Sequence, residues 1–179
     1  MQPIIYDVAV SADGFISGPN DDVSAFPIKG EIVEDYFQRL STYQCAIMGK
    51  HTYELAYQHG LKPGENPYPH MRTLVFSTSI ELPGNADVEV VRTGAERYLH
   101  KLRQNQKGPI YLCGGGIFAG KLLNLGLIDT LRLKKAPFFL GQGTSIFAGQ
   151  AVESDLECIE TDVHKDGFTY QEFQLVSKH

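Results

Sequence analysis

Pro109-Ile110-Tyr111-Leu112-Cys113-Gly114-Gly115-Gly116-Ile117-Phe118-Ala119-Gly120-Lys121-Leu122-Leu123 is the stretch that decides the fold of this chain. The apolar run Ile110 to Cys113 reads as a buried strand. Three glycines follow it, and Ile117, Leu122 and Leu125 then begin a helical face, with Gly126 where a helix C-cap belongs. Strand, glycine turn and helix together bring a backbone close to a phosphate. Glycine has no Cβ to hold the ligand away, and a helix N-terminus favours negative charge.

Two phosphate motifs overlap here, and neighbouring residues argue against both. Gly114-x-Gly116-x-x-Ala119 fits the dinucleotide fingerprint, which also wants an acid about 20 residues on, at the end of the next strand. That strand, read as Thr130 to Phe139, carries Arg132, Lys134 and Lys135 and no acid. Gly115-x-x-x-x-Gly120-Lys121 fits most of a P-loop, but Leu122 stands where a hydroxyl would hold magnesium, which disfavours nucleoside-triphosphate hydrolysis. What remains is an anion site at a helix N-terminus, set against the plainer reading of a tight turn with close packing.

The chain has 179 residues, which suits one domain with a sizeable core. Its net charge of -5 and lack of a Lys/Arg cluster argue against nucleic acid. Cys45, Cys113 and Cys158 are widely spaced and form no CxxC. They suggest neither a disulfide framework nor a metal site, and they suit the cytoplasm. Asp7 interrupts the N-terminal apolar run, against a signal peptide, and no run approaches the roughly 20 residues that cross a bilayer.

Taken in order, Ile4 to Val10 reads as a strand running into a turn-rich loop that contains Asp13. Asp13 sits just past a strand end, where α/β sheets place ligand-binding groups; it also suits an Asx turn before Gly14. Position alone leaves the two readings open. Glu31 to Tyr43 reads as a helix, with Ile32, Val33, Tyr36, Phe37 and Leu40 at one-face spacing. Cys45 to Met48 is a strand, and Gly49-Lys50-His51-Thr52 opens a short helix. Glycine, base and hydroxyl at that turn make a second candidate anion site. Thr73 to Phe76 is a strand that ends in the hydroxyl run Ser77-Thr78-Ser79.

Val88 to Val91 is a short strand. Thr93-Gly94-Ala95-Glu96 reads as a capping box before a helix that buries Leu99 and Leu102. Leu127 to Phe139 reads as one long strand. Cys158 to His164 and Phe168 to Val176 form a hairpin around Lys165-Asp166-Gly167, since Asp-Gly favours such turns. The expected architecture is a single α/β domain: a mostly parallel central sheet flanked by helices, with a C-terminal antiparallel hairpin.

Four stretches, in this order, resemble the dihydrofolate-reductase-like superfamily. They are Ser11-Ala12-Asp13-Gly14-Phe15-Ile16, Met48-Gly49-Lys50-His51-Thr52-Tyr53, Cys113-Gly114-Gly115-Gly116, and Pro137-Phe138-Phe139-Leu140-Gly141-Gln142-Gly143. Together they cover almost the whole chain. Within the superfamily the chain is most similar to stand-alone relatives of the reductase domain of bacterial riboflavin biosynthesis.

The resemblance implies NADPH as hydride donor. It assigns the ribose and its 2′-phosphate to Gly49, Lys50, Thr52, Ser77 and Thr78, and the pyrophosphate turn to Gly114, Gly115, Gly116 and Ile117. Lys50 stands where arginine is usual, which implies weaker 2′-phosphate selectivity, because lysine lacks the bidentate fork. No metal is expected at the site, and the resemblance implies a homodimer. The chain has no tryptophan and no H-x-E…P-C-x-x-C deaminase pattern. The expected substrate is a small heterocycle, ribosylaminouracil-phosphate-like or pterin-like. Asp13 is the expected catalytic residue on its side, and Glu34 and Asp35 are first-helix acids available to hold a pterin. The other readings are an NADP-binding sensor and a structural homo-oligomer, both without turnover.

Overall fold

The computed structural model describes residues 1–150 and 153–176. Its strands are β1 (Ile4–Val10), β2 (Phe15–Ser17), β3 (Cys45–Gly49), β4 (Arg72–Phe76), β5 (Glu89–Val91), β6 (Ile110–Leu112), β7 (Thr130–Lys135), β8 (Thr144–Ser145), β9 (Asp155–Val163) and β10 (Thr169–Val176). Its helices are α1 (Glu31–Leu40), α2 (Lys50–Leu55), α3 (Ala95–Asn105) and α4 (Gly116–Asn124). Eight strands form one sheet in the order β5-β4-β3-β6-β1-β7-β10-β9. All neighbours from β5 to β7 pair in parallel, and β10 pairs antiparallel with both β7 and β9. The expected architecture is therefore the observed one.

A parallel sheet needs cover on both faces, so its strands bury alternate residues on opposite sides. On one face Ile4, Tyr6, Ile47, Leu74 and Leu112 pack with Leu99 and Leu102 of α3 and Leu122 of α4. On the other, Ile5, Ala46, Met48, Val75 and Tyr111 pack with Leu40, Tyr43 and Tyr53. A third cluster joins Ile32 of α1 to Ala136, Phe168 and Tyr170 beside the hairpin.

Several boundaries differ from those expected, each for a local reason. α1 stops at Leu40, because the Ser41 and Thr42 hydroxyls donate to the carbonyls of Gln38 and Arg39 and close the last turn. The N-cap of α3 is Gly94 at φ 64°, with no side-chain cap, so Thr93 does not form the expected capping box. The long strand expected over Leu127–Phe139 contracts to Thr130–Lys135. Asp129 turns the chain beforehand by accepting from the Ile4 amide and from Arg103. Pro137, just beyond, has no N–H to continue the ladder.

The hairpin turn is as expected: Gly167 takes φ 88° and the His164 amide donates to Phe168. The small sheet of β2 and β8 falls in stretches that read as loops. It ties the segment after β1 to the segment after β7.

Candidate functional site

Of the clefts that open on this sheet, two share Val8 and Cys113 in their walls. The first, about 410 Å³, lies across the C-terminal ends of the parallel strands, where open α/β sheets place ligands. Gly49 at the end of β3, Phe76 at the end of β4 and Cys113 just after β6 line it. So do Gly114, Gly115, Gly116 and Ile117 at the start of α4. The amides of a first helical turn have no partner within the helix, and α4 has no side-chain cap. Gly116 and Ile117, which open that turn, line this cleft with the α-helix dipole behind them. Lys50, His51 and Lys121 add cationic or ionisable groups, while Asp21 binds His51 at 2.8 Å.

The glycines are required by the geometry. Gly114 and Gly115 take φ 102° and 88°, a region that side chains disfavour. A Cβ on Gly115 would overlap Thr52 Oγ1, and one on Gly116 would lie 2.6 Å from the Ser145 carbonyl. Thr52 Oγ1 in turn donates to the Gly114 carbonyl at 3.4 Å, fastening the glycine turn to α2. The result is a backbone-walled concavity beside lysines, which fits a dinucleotide pyrophosphate.

Most of the residues expected to bind the cofactor meet here, but not all line the cleft. Gly49, Lys50, Thr52, Gly114, Gly115, Gly116 and Ile117 do. Ser77 and Thr78 do not. The Ser77 hydroxyl accepts from the amides of Ser79 and Ile80, so it organises its own turn, and Thr78 is exposed. Lys50 Nζ reaches Ser79 Oγ at 3.4 Å, which sets that turn on the same rim as Lys50.

The second cleft, about 380 Å³, lies between α1, the segment around Phe26–Ile28, and the sheet. Its wall is apolar and aromatic apart from Asp7 on β1 and Lys134 on β7, its only charged lining groups among the described residues. Asp7 is fully buried. Its carboxylate accepts from Lys134 Nζ at 2.5 Å, Arg39 Nε at 3.0 Å and the Tyr43 hydroxyl at 3.0 Å. Burial pushes the Asp7 carboxyl up, but Lys134 and Arg39 outweigh it and hold the group below the usual carboxylate range.

Burial pulls Lys134 down from its ordinary value, and Asp7 only partly restores it. The ammonium also lies 3.9 Å from the centroid of Tyr36, a cation–π contact. Around it, Tyr36 and Tyr111 share a hydrogen bond at 2.8 Å, and Tyr68 meets Cys113 Sγ at 2.9 Å. Burial raises the pKa of each of these phenols and of the thiol, so they keep their protons.

Asp13, expected on the substrate side, lines neither cleft. It is exposed, and its carboxylate accepts from Ser11 Oγ at 2.5 Å and from the amides of Leu140 and Gly141 at 3.1 and 2.7 Å. These bonds, that of Ser11 foremost, lower its pKa. Asp13 thus ties the loop after β1 to the segment after β7. Glu34 and Asp35 also lie outside the second cleft, and Asp35 approaches His164 at 3.7 Å instead.

The Asp7–Lys134 pair was missed in the sequence. Its signals were an acid inside an otherwise apolar strand, read only as an interruption, and a lysine alternating with Leu133 on the strand that pairs with β1.

Residues 2–170 match the family described as the RibD C-terminal domain. Among solved structures, a putative riboflavin biosynthesis protein from Shewanella sp. PV-4 superposes with a TM-score of 0.82 at 21% identity, covering 99% of this chain and 100% of that one. A diaminohydroxyphosphoribosylaminopyrimidine deaminase/5-amino-6-(5-phosphoribosylamino)uracil reductase from Thermotoga maritima gives 0.74 at 17% identity, covering 98% of this chain and 57% of that longer one. The dihydrofolate reductase of Enterococcus faecalis, complexed with NADP(H) and RAB-propyl, gives 0.69 at 16% identity, covering 98% and 97%. At these identities the likenesses show a shared dihydrofolate-reductase-like fold.

Proposed function

The chain belongs to the RibD C-terminal domain family, on a dihydrofolate-reductase-like fold, and from that premise we propose that it is an NADPH-dependent reductase of a small heterocyclic substrate. The observation that carries this reading is the meeting of the two clefts at Val8 and Cys113. A dinucleotide held by its pyrophosphate in the first cleft would bring its nicotinamide end to that shared wall, and a ring in the second cleft would face it. The bound cofactor supplies the hydride; the protein binds, orients and keeps water out.

In this reading the amides of Gly116 and Ile117 and the ammonium of Lys121 hold the pyrophosphate. Lys50, with the neighbouring Ser77–Ser79 turn, holds the 2′-phosphate as a point charge. Asp13 holds the loop after β1 against the segment after β7 through the amides of Leu140 and Gly141. The test is NADPH oxidation against a panel of pterins, ribosylaminouracils and small carbonyl compounds. Saturable turnover with any of them supports the reductase. Tight NADPH binding with no turnover across the panel would favour a nucleotide sensor instead.

A further inference from the structure

We propose that the second cleft takes a flat, uncharged, unphosphorylated ring, and that Lys134 gives a proton to the heteroatom of the C=O or C=N bond being reduced. The proposal rests on the reductase reading above and narrows its substrate.

The wall chemistry sets the class. Phe26, Ile28, Val33, Phe37 and Phe168 surround the opening with apolar surface, and Tyr36 and Tyr111 add flat aromatic faces. Such surfaces favour a planar ring. Ile28 and Phe37 are 91% and 57% exposed at the mouth, so a bound ring would also cover apolar surface now open to water. Among the described residues the charged lining groups are Asp7 and Lys134, and the Lys134 ammonium is already engaged by Asp7, which it shares with Arg39 behind the wall. A phosphate ester placed here would bury charge with no cation of its own, which is strongly unfavourable. Lys29, next to Ile28, is outside the lining. The cations that suit phosphate, Lys50 and Lys121, line the other cleft.

Among the described residues of this wall, Lys134 is the group able to release a proton. Asp7 is ionised, and the surrounding phenols and thiol keep theirs. The Lys134 ammonium has three N–H bonds, and its hydrogen bond to Asp7 uses one of them. Burial makes its proton easier to release than that of an exposed lysine. In the step, the substrate carbon gains a C–H bond from the hydride that leaves the dihydronicotinamide with its electron pair. The C=O or C=N π electrons move to the heteroatom, which takes a proton from Lys134 Nζ. The substrate is reduced by two electrons, the nicotinamide is oxidised, and neutral Lys134 regains a proton from water. Asp7 and the Tyr36 face hold the ammonium over the cleft floor.

The experiment uses full-length protein loaded with NADP+ and a matched pair of probes, 6-hydroxymethylpterin and its phosphate monoester. A third probe is 5-amino-6-(5-phosphoribosylamino)uracil. Calorimetry gives the affinities, and NADPH oxidation gives turnover. The expected result is that the unphosphorylated pterin binds at least about tenfold more tightly than either phosphorylated probe and is reduced. Lys134→Met should bind NADP+ like the wild type and turn over at least about 100-fold more slowly, the scale of lost acid–base assistance. The second variant Lys134→Gln, whose amide can still donate to Asp7 but has no acidic proton to give, covers the case in which Lys134→Met is unstable, and it should be equally slow.

Equal or tighter binding of a phosphorylated probe overturns the substrate class, as does failure of all three to bind. A bound pterin that is not reduced, or wild-type turnover in a folded Lys134 variant, overturns the proton donor. Failure of the wild type to bind NADP+ at the outset overturns the reductase reading itself.

Discussion

Replacing Asp7 by asparagine tests the buried charge network at its centre. Asp7 is one carboxylate facing two cations, Lys134 and Arg39, with the Tyr43 hydroxyl as third donor. Asparagine keeps the shape and one acceptor oxygen but removes the charge, leaving a buried ammonium and a largely buried guanidinium without their counterion. Arg39 Nη2 is already a buried nitrogen with no partner, so the network has no spare acceptor to offer. Breaking a buried pair by removing one partner costs about 3–5 kcal/mol. For a chain of this size each kcal/mol moves Tm by roughly 2–4 °C, so Tm should fall by roughly 6–20 °C.

The assay is thermal unfolding followed by circular dichroism as a function of pH. The Asp7 pKa is lowered in the folded state, so its stabilisation is complete above the unfolded value, near 3.9, and is lost as pH falls through the lower folded value. The gap between wild type and variant should therefore be widest at neutral pH and close in strong acid. A loss below about 1 kcal/mol at neutral pH would refute the reasoning, because that is the scale of an exposed pair.

Three further outcomes are expected. Gly115→Ala should lose stability by about 1–2 kcal/mol from its left-handed backbone, with more from the overlap with Thr52, and should lose NADPH affinity. Adding Thr52→Ala should recover part of the stability in a thermal melt; unchanged NADPH affinity in folded Gly115→Ala would contradict the placement of the pyrophosphate. Lys50→Ala should remove most of a preference for NADPH over NADH of about tenfold to hundredfold, measured by fluorescence titration, since a charged hydrogen bond contributes about 1.5–3 kcal/mol. Asp13→Asn should keep NADPH affinity and stay within about tenfold of wild-type turnover, because its oxygens serve the loop; a fall of about 100-fold or more would return Asp13 to the substrate side.

Local chemistry made much of the fold legible. β1 stands over Ile4–Val10 as read, because its apolar run and the turn residues after it mark both ends. The strand–glycine–helix unit at Ile110–Asn124 and the Asp-Gly hairpin are equally local signals. The β2–β8 pairing was not legible, since two- and three-residue strands take their identity from a partner more than a hundred positions away.

The site divided in the same way. The glycines at 114–116 announce close approach by their residue type, whereas the roles of Asp7 and Lys134 depend on β1 lying beside β7. A charge in an apolar strand signals that a partner must exist, but not which one. Asp13 illustrates the converse. Its position past a strand end suits a ligand or a turn, and only the Leu140 and Gly141 amides reveal what its carboxylate touches.

The most direct test of the central claim is a crystal structure of the protein with NADP+. The account predicts the pyrophosphate against the amides of Gly116 and Ile117, the 2′-phosphate beside Lys50, and the nicotinamide ring at Val8 and Cys113, facing Lys134 across the shared wall. A dinucleotide bound elsewhere, or one whose nicotinamide points away from the Asp7–Lys134 cleft, would contradict it.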